Sequence, residues 1–431
     1  MGTPPRPPSP PYRSLAPSPQ WVALRRRVQC VPSDDTGLAH GAEFHLALDA
    51  PPCLARLAVS PELIATDGDA PDHCSPFVLA ADRSGVLLLS GSSYFLCDVV
   101  SSTVRRLPER PGSAAGTAGL VVAALDGVRS NFTVAELVPS AARDGGGATL
   151  HCLSPDPGVW IQKPLLFPDR VRLPWHSAHA FPHEGKLWWA DLSQGLLSCD
   201  PFSAAPELRF APLPAAVRLA KGGDKQRDAS RHRCLSLSGG KPRFVVITAH
   251  ACVPKIKMWT LADAAAGEWT LDHEARLEDV WDDPSYTKTG LPRKRPALAL
   301  VHPGNPSVVY FFLQEHLFGV DLRTKAVTEC ALHERDDEGD EAMSSSSSVL
   351  GWELPPSLTT SSSGPPLPKQ ESPATSVLDR IANSFYDTYT RVFADMEFEQ
   401  LTKIALGYGS NKAKKEENKS KTSLPALTEN C

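Results

Sequence analysis

The stretch that decides the fold runs from Gly85 to Pro108. It reads GVLLLS (85–90), GSS (91–93), YFLCD (94–98), VVSS (99–102) and TVRRLP (103–108). Short apolar runs of this kind suit strands, and the small polar residues between them favour tight turns. The pattern predicts three strands joined by two turns, which together form an antiparallel meander.

The same unit recurs along the chain. Residues 186–200 read KLWWADLSQGLLSCD, residues 308–321 read VVYFFLQEHLFGVD, and a looser copy spans residues 257–271. The strands of these copies end in aspartate, at Asp98, Asp191, Asp200, Asp263 and Asp321. An aspartate carboxylate at a strand end accepts hydrogen bonds from the backbone N–H groups that follow it. We therefore predict that these aspartates initiate turns and are not catalytic.

A further hairpin is predicted where Gly239 and Gly240 separate two runs rich in β-forming residues. Repeated antiparallel units have to hide their edges in a sandwich or a closed ring. A body of about 315 residues, divided by about 45 residues per blade, gives about seven units. The predicted fold class is therefore mainly β, with a β-propeller-like body of antiparallel blades; paired β-sandwiches are the alternative.

The domain plan follows from changes in composition. Residues 1–19 form a Pro-rich tail that we expect to be disordered, and residues 20–335 form the β-propeller-like domain. Residues 336–375 are an acidic, Ser- and Pro-rich linker that contains an apolar island at 349–354, a candidate last strand. A C-terminal amphipathic α-helix is predicted over 376–406, followed by a Lys-rich tail, 407–431, that we also expect to be disordered.

The composition is that of a globular protein without a strong electrostatic preference. The 431 residues carry a formal net charge of −5, which gives no general attraction to nucleic acid or to anionic membranes. No apolar run approaches the roughly 18 residues that a membrane span requires. The cysteines are dispersed and several lie in apolar strands, as in reduced compartments. We expect the cytoplasm or the nucleus; the acid-poor, Arg-containing start leaves organelle targeting as an alternative.

One segment carries a family resemblance. The stretch LWWADLSQGLLSCDPF (187–202), with MWTL (258–261), PALALVHP (296–303), YFFL (310–313) and WELPP (352–356), resembles the signature of a plant family expanded in grasses, domain of unknown function 1618. The resemblance covers most of residues 20–356. It implies a plant protein whose body is similar to F-box-associated and kelch-like propeller domains, and it implies no activity. No F-box motif is visible, so a ubiquitin-ligase adaptor is not predicted.

Linear motifs for catalysis are missing. The sequence contains no P-loop, no dinucleotide-binding glycine pattern and no nucleophile elbow. The sharpest metal candidate is the group His176, His179 and His183, but its spacing matches no standard zinc site and Pro182 interrupts it. We predict no metal and no cofactor.

A cluster of carboxylates surrounds Trp281, at Glu278, Asp279, Asp282 and Asp283. Glycosidase acids come from separate elements at a fixed distance across the sugar, whereas these four crowd one turn. We interpret them as a solvated loop. The adjacent Trp188 and Trp189 alternate faces of a strand, and we expect both to pack in the core.

The predicted C-terminal helix carries the candidate partner-binding residues. Its apolar residues follow one another at steps of three and four, which places them on one face of the helix: Leu378, Ile381, Phe385, Tyr389, Val392 and Met396. This face either folds back on the body or docks on a partner, and both options stay open. Thr388 and Asp395 break the heptads that a long coiled coil requires.

These patterns favour a non-enzymatic protein-interaction module over an enzyme. The module is a propeller-like platform with a tethered docking helix, acting on protein partners that the sequence does not identify, in an oligomeric state that it does not determine. One alternative is a hydrolase whose site is assembled across blades. A second alternative is a nuclear regulator that uses the basic runs at residues 293–295 and 412–421.

Overall fold

The computed structural model describes residues 19–31, 43–60, 76–91, 93–112, 116–125, 128–140, 147–154, 158–218, 231–248, 254–333 and 346–359. Nearly all regular structure in these ranges is β-strand. The helices within them are too short or too polar to cross a membrane. The predicted helix at 376–406, with its six apolar residues, lies outside the described residues, as do most of the Pro-rich start and the whole Lys-rich end.

The first strands of the chain form a mixed sheet. They are β1 (Trp21–Arg25), β2 (Gln29–Cys30), β3 (Phe44–Ala47) and β4 (Leu54–Val59). Strand β4 pairs in parallel with β1 and β2, and antiparallel with β3.

Five four-stranded antiparallel sheets follow, each built from four consecutive strands. The first contains β5 (Phe77–Ala81), β6 (Val86–Ser90), β7 (Tyr94–Asp98) and β8 (Thr103–Arg106). The second contains β9 (Thr117–Leu125), β10 (Val128–Pro139), β11 (Gly147–Leu153) and β12 (Trp160–Leu166). The third contains β13 (His179–His183), β14 (Lys186–Asp191), β15 (Gly195–Cys199) and β16 (Arg209–Pro212). The fourth contains β17 (Arg233–Ser238), β18 (Lys241–Ile247), β19 (Lys255–Asp263) and β20 (Glu268–Arg276). The fifth contains β21 (Ala297–Val301), β22 (Val308–Leu313), β23 (His316–Asp321) and β24 (Ala326–Leu332).

The apolar island forms the last strand, β25 (Val349–Glu353), which returns to the start of the chain. It pairs antiparallel with β1, from Trp21 opposite Glu353 to Arg25 opposite Val349. The two ends of the folded body therefore meet in one sheet. This non-covalent pairing closes the ring, because it hides the edges that both strands would otherwise expose.

The first strands of the sheets surround a common axis. Strand β9 contacts β5 and β13, β21 contacts β17 and β25, and β25 contacts β5. The predicted β-propeller of antiparallel blades is confirmed. The expected number of about seven blades is wrong: the described residues form five four-stranded blades and the mixed closing sheet. The blades start at Phe77, Thr117, His179, Arg233 and Ala297. Most of these steps exceed the roughly 45 residues that we assumed, because long connections add to them.

Neighbouring sheets are held together by apolar side chains packed between them. Each junction of the ring contains one cluster of buried residues. Trp188 and Trp189 illustrate the alternation of faces, because Trp189 fills the junction of the second and third blades and Trp188 the junction of the third and fourth. Both side chains are buried, which confirms the prediction that both belong to the core.

The turn-initiating role of the recurrent aspartates is also confirmed. Asp98 Oδ1 accepts hydrogen bonds from the backbone N–H groups of residues 100 and 101, and Asp263 Oδ1 from those of 265 and 266. Asp191, Asp200 and Asp321 each accept one from the residue two positions later. A carboxylate at the strand end thus satisfies the donors that the turn leaves unpaired.

The short connections include one correction. Residues 278–281, interpreted as part of a loop, lie in a short helix, α1 (Leu277–Trp281), and Asp282 and Asp283 connect it to a second one, α2 (Pro284–Thr289). Tertiary packing explains the difference, since Leu277, Val280 and Tyr286 fill the junction of the fourth and fifth blades. The other short elements are a 3₁₀ turn at Ala215–Val217 and α3 (Pro356–Thr359).

The glycine hairpin is confirmed between β17 and β18. Gly239 and Gly240 have φ values of 57° and 72°. Two consecutive positive φ angles define a type I′ turn, and glycine adopts them without steric penalty.

Candidate functional site

A cavity of about 280 Å³ lies on the propeller axis. Its wall is formed by the inner strands of several sheets, at residues 79–83, 179–182, 235–237, 299–301 and 349–353. Because the strands converge there, segments that are far apart in the sequence face one another. A single linear motif therefore could not predict such a site.

Arg26 is the buried charged side chain in this wall, which also contains Asp82, Arg83 and Glu353. It directly follows β1 and is only 5% exposed. Its Nη1 donates to the carbonyl oxygens of Val78 and Leu79 at 3.2 and 3.1 Å, and its Nε lies 3.4 Å from the carbonyl oxygen of Val349. The guanidinium carbon also lies 6.0 Å from the ring centre of Phe77. Arg26 thus joins the first blade to the closing strand and brings a positive charge to the cavity.

The titratable neighbours of Arg26 are neutral at pH 7. Burial, reinforced by the Arg26 charge, lowers the pKa of His179 to about 3. Burial raises the pKa of the Cys234 thiol to about 11. Burial lowers the pKa of Arg26 itself to about 10, so its guanidinium stays protonated. The Arg26 guanidinium therefore lies beside a neutral imidazole and a neutral thiol.

Acidic side chains lie at the mouth of the cavity. Glu353 forms an ion pair with the exposed Arg83, with Nε and Oε2 2.8 Å apart. Asp82 Oδ1 accepts a hydrogen bond from the backbone N–H of Ser84 at 2.7 Å. These carboxylates have partners of their own, and neither is among the groups that shift the pKa of Arg26.

The arrangement suits binding better than catalysis. A cysteine nucleophile has to be a thiolate, and a histidine base needs a pKa near the working pH. Cys234 and His179 meet neither condition. Cys234 Sγ instead lies 3.3 Å from Ser236 Oγ and 3.7 Å from the carbonyl oxygen of Ala299. Apolar walls with a few fixed polar groups are the usual composition of a ligand pocket.

The three histidines of the metal candidate are not brought together. His179 lines the axial cavity. His176 is exposed, and its backbone N–H donates to Asp191 Oδ2 at 3.2 Å. His183 packs against Trp188, with Nε2 3.7 Å from Glu184 Oε1. Across the described ranges, no three His, Cys, Asp or Glu side chains form a group that could hold a metal ion.

The carboxylates around Trp281 have local structural partners. Asp279 pairs with Lys325 at 2.8 Å, Asp282 with Arg293 at 2.9 Å, and Glu278 with Arg276. Asp283 caps α2 by accepting from the Ser285 N–H at 2.8 Å. Such pairing agrees with the non-catalytic interpretation of the cluster.

Sequence reasoning missed Arg26. Residues 25–27 are three consecutive arginines after an apolar strand, and their only visible feature is the lack of nearby acids. Nothing in that run shows which arginine turns inwards, because the strands that bury Arg26 come from residues 77–81 and 349–353.

The state of His179 makes a pH prediction. The unfolded chain has a histidine pKa near 6.5, against about 3 in the fold. Unfolding therefore takes up a proton between these values, and stability falls as the pH falls through that window. Between pH 7 and pH 5 this group should remove about 2 kcal/mol from the free energy of unfolding. Urea unfolding at both pH values measures this change. The free energy of unfolding of His179→Gln should fall less between the two pH values, by about 2 kcal/mol. Equal decreases in the two proteins would contradict the lowered pKa of His179.

The central part of the chain is similar to a known protein family. Residues 189–310 match the model of a family described as "Protein of unknown function (DUF1618)". The match contains most of the signature that carried the resemblance and confirms its coarse form, a domain without an assigned function. The plant origin and the kelch-like similarity stay predictions. No match to a curated protein is found.

Solved structures give distant likenesses. AztD from Citrobacter koseri is 14% identical, with 59% of each chain covered and a TM-score of 0.31. A putative 6-phosphogluconolactonase from Bacteroides fragilis is 10% identical, with 62% of this chain and 70% of that one covered, at 0.32. The Cps50 (Swd1) β-propeller domain of Myceliophteria thermophila is 11% identical, with 64% and 96% covered, also at 0.32. This chain thus spans about three fifths of the length of AztD, and likenesses at this level bear on no activity.

Proposed function

We propose that this protein is a non-enzymatic protein-interaction module of the cytoplasm or nucleus. Its propeller is a rigid platform, and the predicted helix at 376–406 is a tethered docking element. The observation that carries the proposal is an exposed apolar surface on the outermost strand of the second blade.

This surface, the β12 surface, spans both sides of the strand's outer edge: Ile161 lies on one face of β12, Leu166 on the opposite face, and Val159 just before the strand. The side chains of Val159, Ile161 and Leu166 are 54%, 45% and 78% exposed, although most large apolar residues of the body are buried. The charged residue of β12, Lys163, is directed to a neighbouring segment: its Nζ donates to the carbonyl oxygens of Pro201 and Ser203 at 2.9 and 2.7 Å. An uncharged apolar rim of this kind marks a contact surface.

The kind of contact follows from Pro164. Strand β12 pairs only with β11 in the described sheet, so its other edge is open. Pro164 has no backbone N–H and interrupts any strand that would be added there. The partner therefore docks through side chains, and we infer that it presents an apolar face, such as one side of an amphipathic helix.

The alternatives find less support. A hydrolase at the axial cavity needs a reactive nucleophile or base, and His179 and Cys234 are held neutral there. The carboxylates of Asp82 and Glu353 also line the cavity, but they bond to Ser84 and Arg83. In the basic run at 293–295, Arg293 and Lys294 are exposed, but its two arginines bond to neighbouring groups. Arg293 pairs with Asp282, and Arg295 Nη2 donates to the carbonyl oxygen of Ile247 at 2.9 Å.

The proposal predicts loss of a partner when the β12 surface is charged. Affinity capture from cell extract would compare the full chain, an Ile161→Asp/Leu166→Asp variant and a chain lacking residues 376–406. Buried apolar contact contributes about 25 cal/mol per Å², so two introduced carboxylates should weaken capture at least about tenfold. Deleting the helix should weaken the same partner.

Gln162→Asp is the control for an added charge, since it introduces one carboxylate at an exposed position of the same strand. A protein retained by this control, lost from the double variant and bound directly after purification would support the proposal. Identical partner lists for all four proteins would overturn it. Light scattering separates a foreign partner from a second copy of this chain.

A further inference from the structure

Arg26 has only neutral partners. A guanidinium offers five N–H donors. Arg26 donates to three carbonyl oxygens, and the only charged or titratable group that raises its pKa is the Cys234 thiol, which is neutral at pH 7. Among the described residues, no carboxylate forms an ion pair with it. The cation is 95% buried.

The buried Arg233 and the half-buried Arg110 have acidic neighbours. Arg233 also donates to two carbonyl oxygens, of Leu192 and Val217, and the Asp191 charge supports its ionised form. Arg110 Nε lies 2.6 Å from Glu136 Oε2. Removing an ion from water costs several kcal/mol, and an opposite charge usually offsets that cost. Arg26 lines the axial cavity, so a ligand bound there could supply the opposite charge.

The cavity limits the size and character of a ligand. Its volume of about 280 Å³ is close to the lower end of the range of about 300–1,000 Å³ for ligand pockets. Apolar side chains form much of its wall, including Leu79, Leu235, Leu300 and Val349, while Ser236 adds a hydroxyl. A small molecule with one polar end and an apolar body fits this surface.

We propose that the axial cavity binds a small organic monocarboxylate, whose carboxylate pairs with the Arg26 guanidinium and whose apolar body contacts the strand side chains of the wall. Because Nη1 and Nε of Arg26 donate to carbonyl oxygens, the two N–H groups of Nη2 remain for a carboxylate, which accepts charge-assisted hydrogen bonds from them. A single cation balances one negative charge, so a phosphate dianion would retain an uncompensated charge in an apolar cavity. The acidic side chains at the mouth disfavour polyanions further. This binding does not depend on the platform function.

Isothermal titration of the full-length protein at pH 7 tests the proposal. The probes are benzoate and hexanoate, their uncharged counterparts benzyl alcohol and hexanol, and inorganic phosphate. We expect at least one carboxylate to bind at least tenfold more tightly than its alcohol and than phosphate. An alcohol or phosphate that binds as tightly as the acid would overturn the assignment. A folded protein that binds neither acid at concentrations up to about 10 mM would overturn it as well.

Two variants locate the site. Arg26→Met keeps the length of the side chain without its charge and should weaken carboxylate binding at least thirtyfold. Ser236→Leu should fill the cavity and weaken binding at least tenfold with Arg26 in place, so the proposal is still tested if Arg26→Met does not fold. Arg106→Met is the control, because Arg106 lies on the outer strand β8 and is exposed. Unchanged affinity in a folded Arg26→Met or in Ser236→Leu would refute the site.

Discussion

Replacing Trp352 by alanine should lower the free energy of unfolding by about 3–5 kcal/mol. The side chain is 1% exposed and fills the junction between the closing sheet and the first blade. Its Nε1 donates to the carbonyl oxygen of Asp82 at 2.9 Å. The substitution leaves a large cavity and also removes one of the two donors to the Asp82 carbonyl oxygen, the other being the Gly85 N–H. Since Trp352 belongs to β25, the loss falls on the strand that closes the ring.

Urea unfolding followed by circular dichroism measures this loss. Trp352→Phe is the matched control; it keeps most of the apolar volume and should cost about half as much, since only the hydrogen bond and part of the ring are removed. Trp160→Ala, on the outer strand of the second blade, should cost less than Trp352→Ala. A loss below about 1 kcal/mol for Trp352→Ala would mean that ring closure does not limit stability.

Replacing Asp191 by alanine should have an effect of similar size, about 3–5 kcal/mol, for a different reason. The carboxylate is 1% exposed. It accepts hydrogen bonds from the Ser193 N–H, the Ser193 hydroxyl and Gln194 Nε2, at 2.8, 2.5 and 2.8 Å. Its charge also supports the buried guanidinium of Arg233. The substitution leaves several donors and a buried cation uncompensated.

Asp263 provides the comparison for this prediction. It initiates the equivalent turn of another blade, but it is exposed. Water replaces its hydrogen bonds after substitution, so Asp263→Ala should cost only about 1 kcal/mol. The two variants, unfolded under the same conditions, separate the local role of a turn aspartate from its role in the core. Equal losses would show that the buried network around Asp191 contributes nothing beyond the turn.

Local features of the fold could be predicted because their causes are local. The strand pattern of residues 85–108 and its copies, the aspartate turns and the hairpin at Gly239 and Gly240 all depend on residues a few positions apart. Repetition of these units also indicated a propeller. The blade number could not be obtained in this way, because connections of unequal length separate the blades.

Features that depend on ring closure were beyond the sequence. The parallel pairing of β1 with β4 joins segments with no shared pattern. The helices around Trp281 form because their apolar residues find a junction between blades. His179 was visible as a residue, but its place in the axial wall and its lowered pKa are consequences of convergence.

Arg26 shows the division most clearly. The sequence by itself determined the antiparallel strand units, their structural aspartates and the lack of a linear catalytic motif, and it favoured a propeller over paired β-sandwiches. Only the tertiary structure decided which of three consecutive arginines is buried on the axis with neutral partners. The physical reason is that burial of Arg26 depends on the contact of β1, β5 and β25, strands that lie far apart in the chain and meet only when the propeller closes.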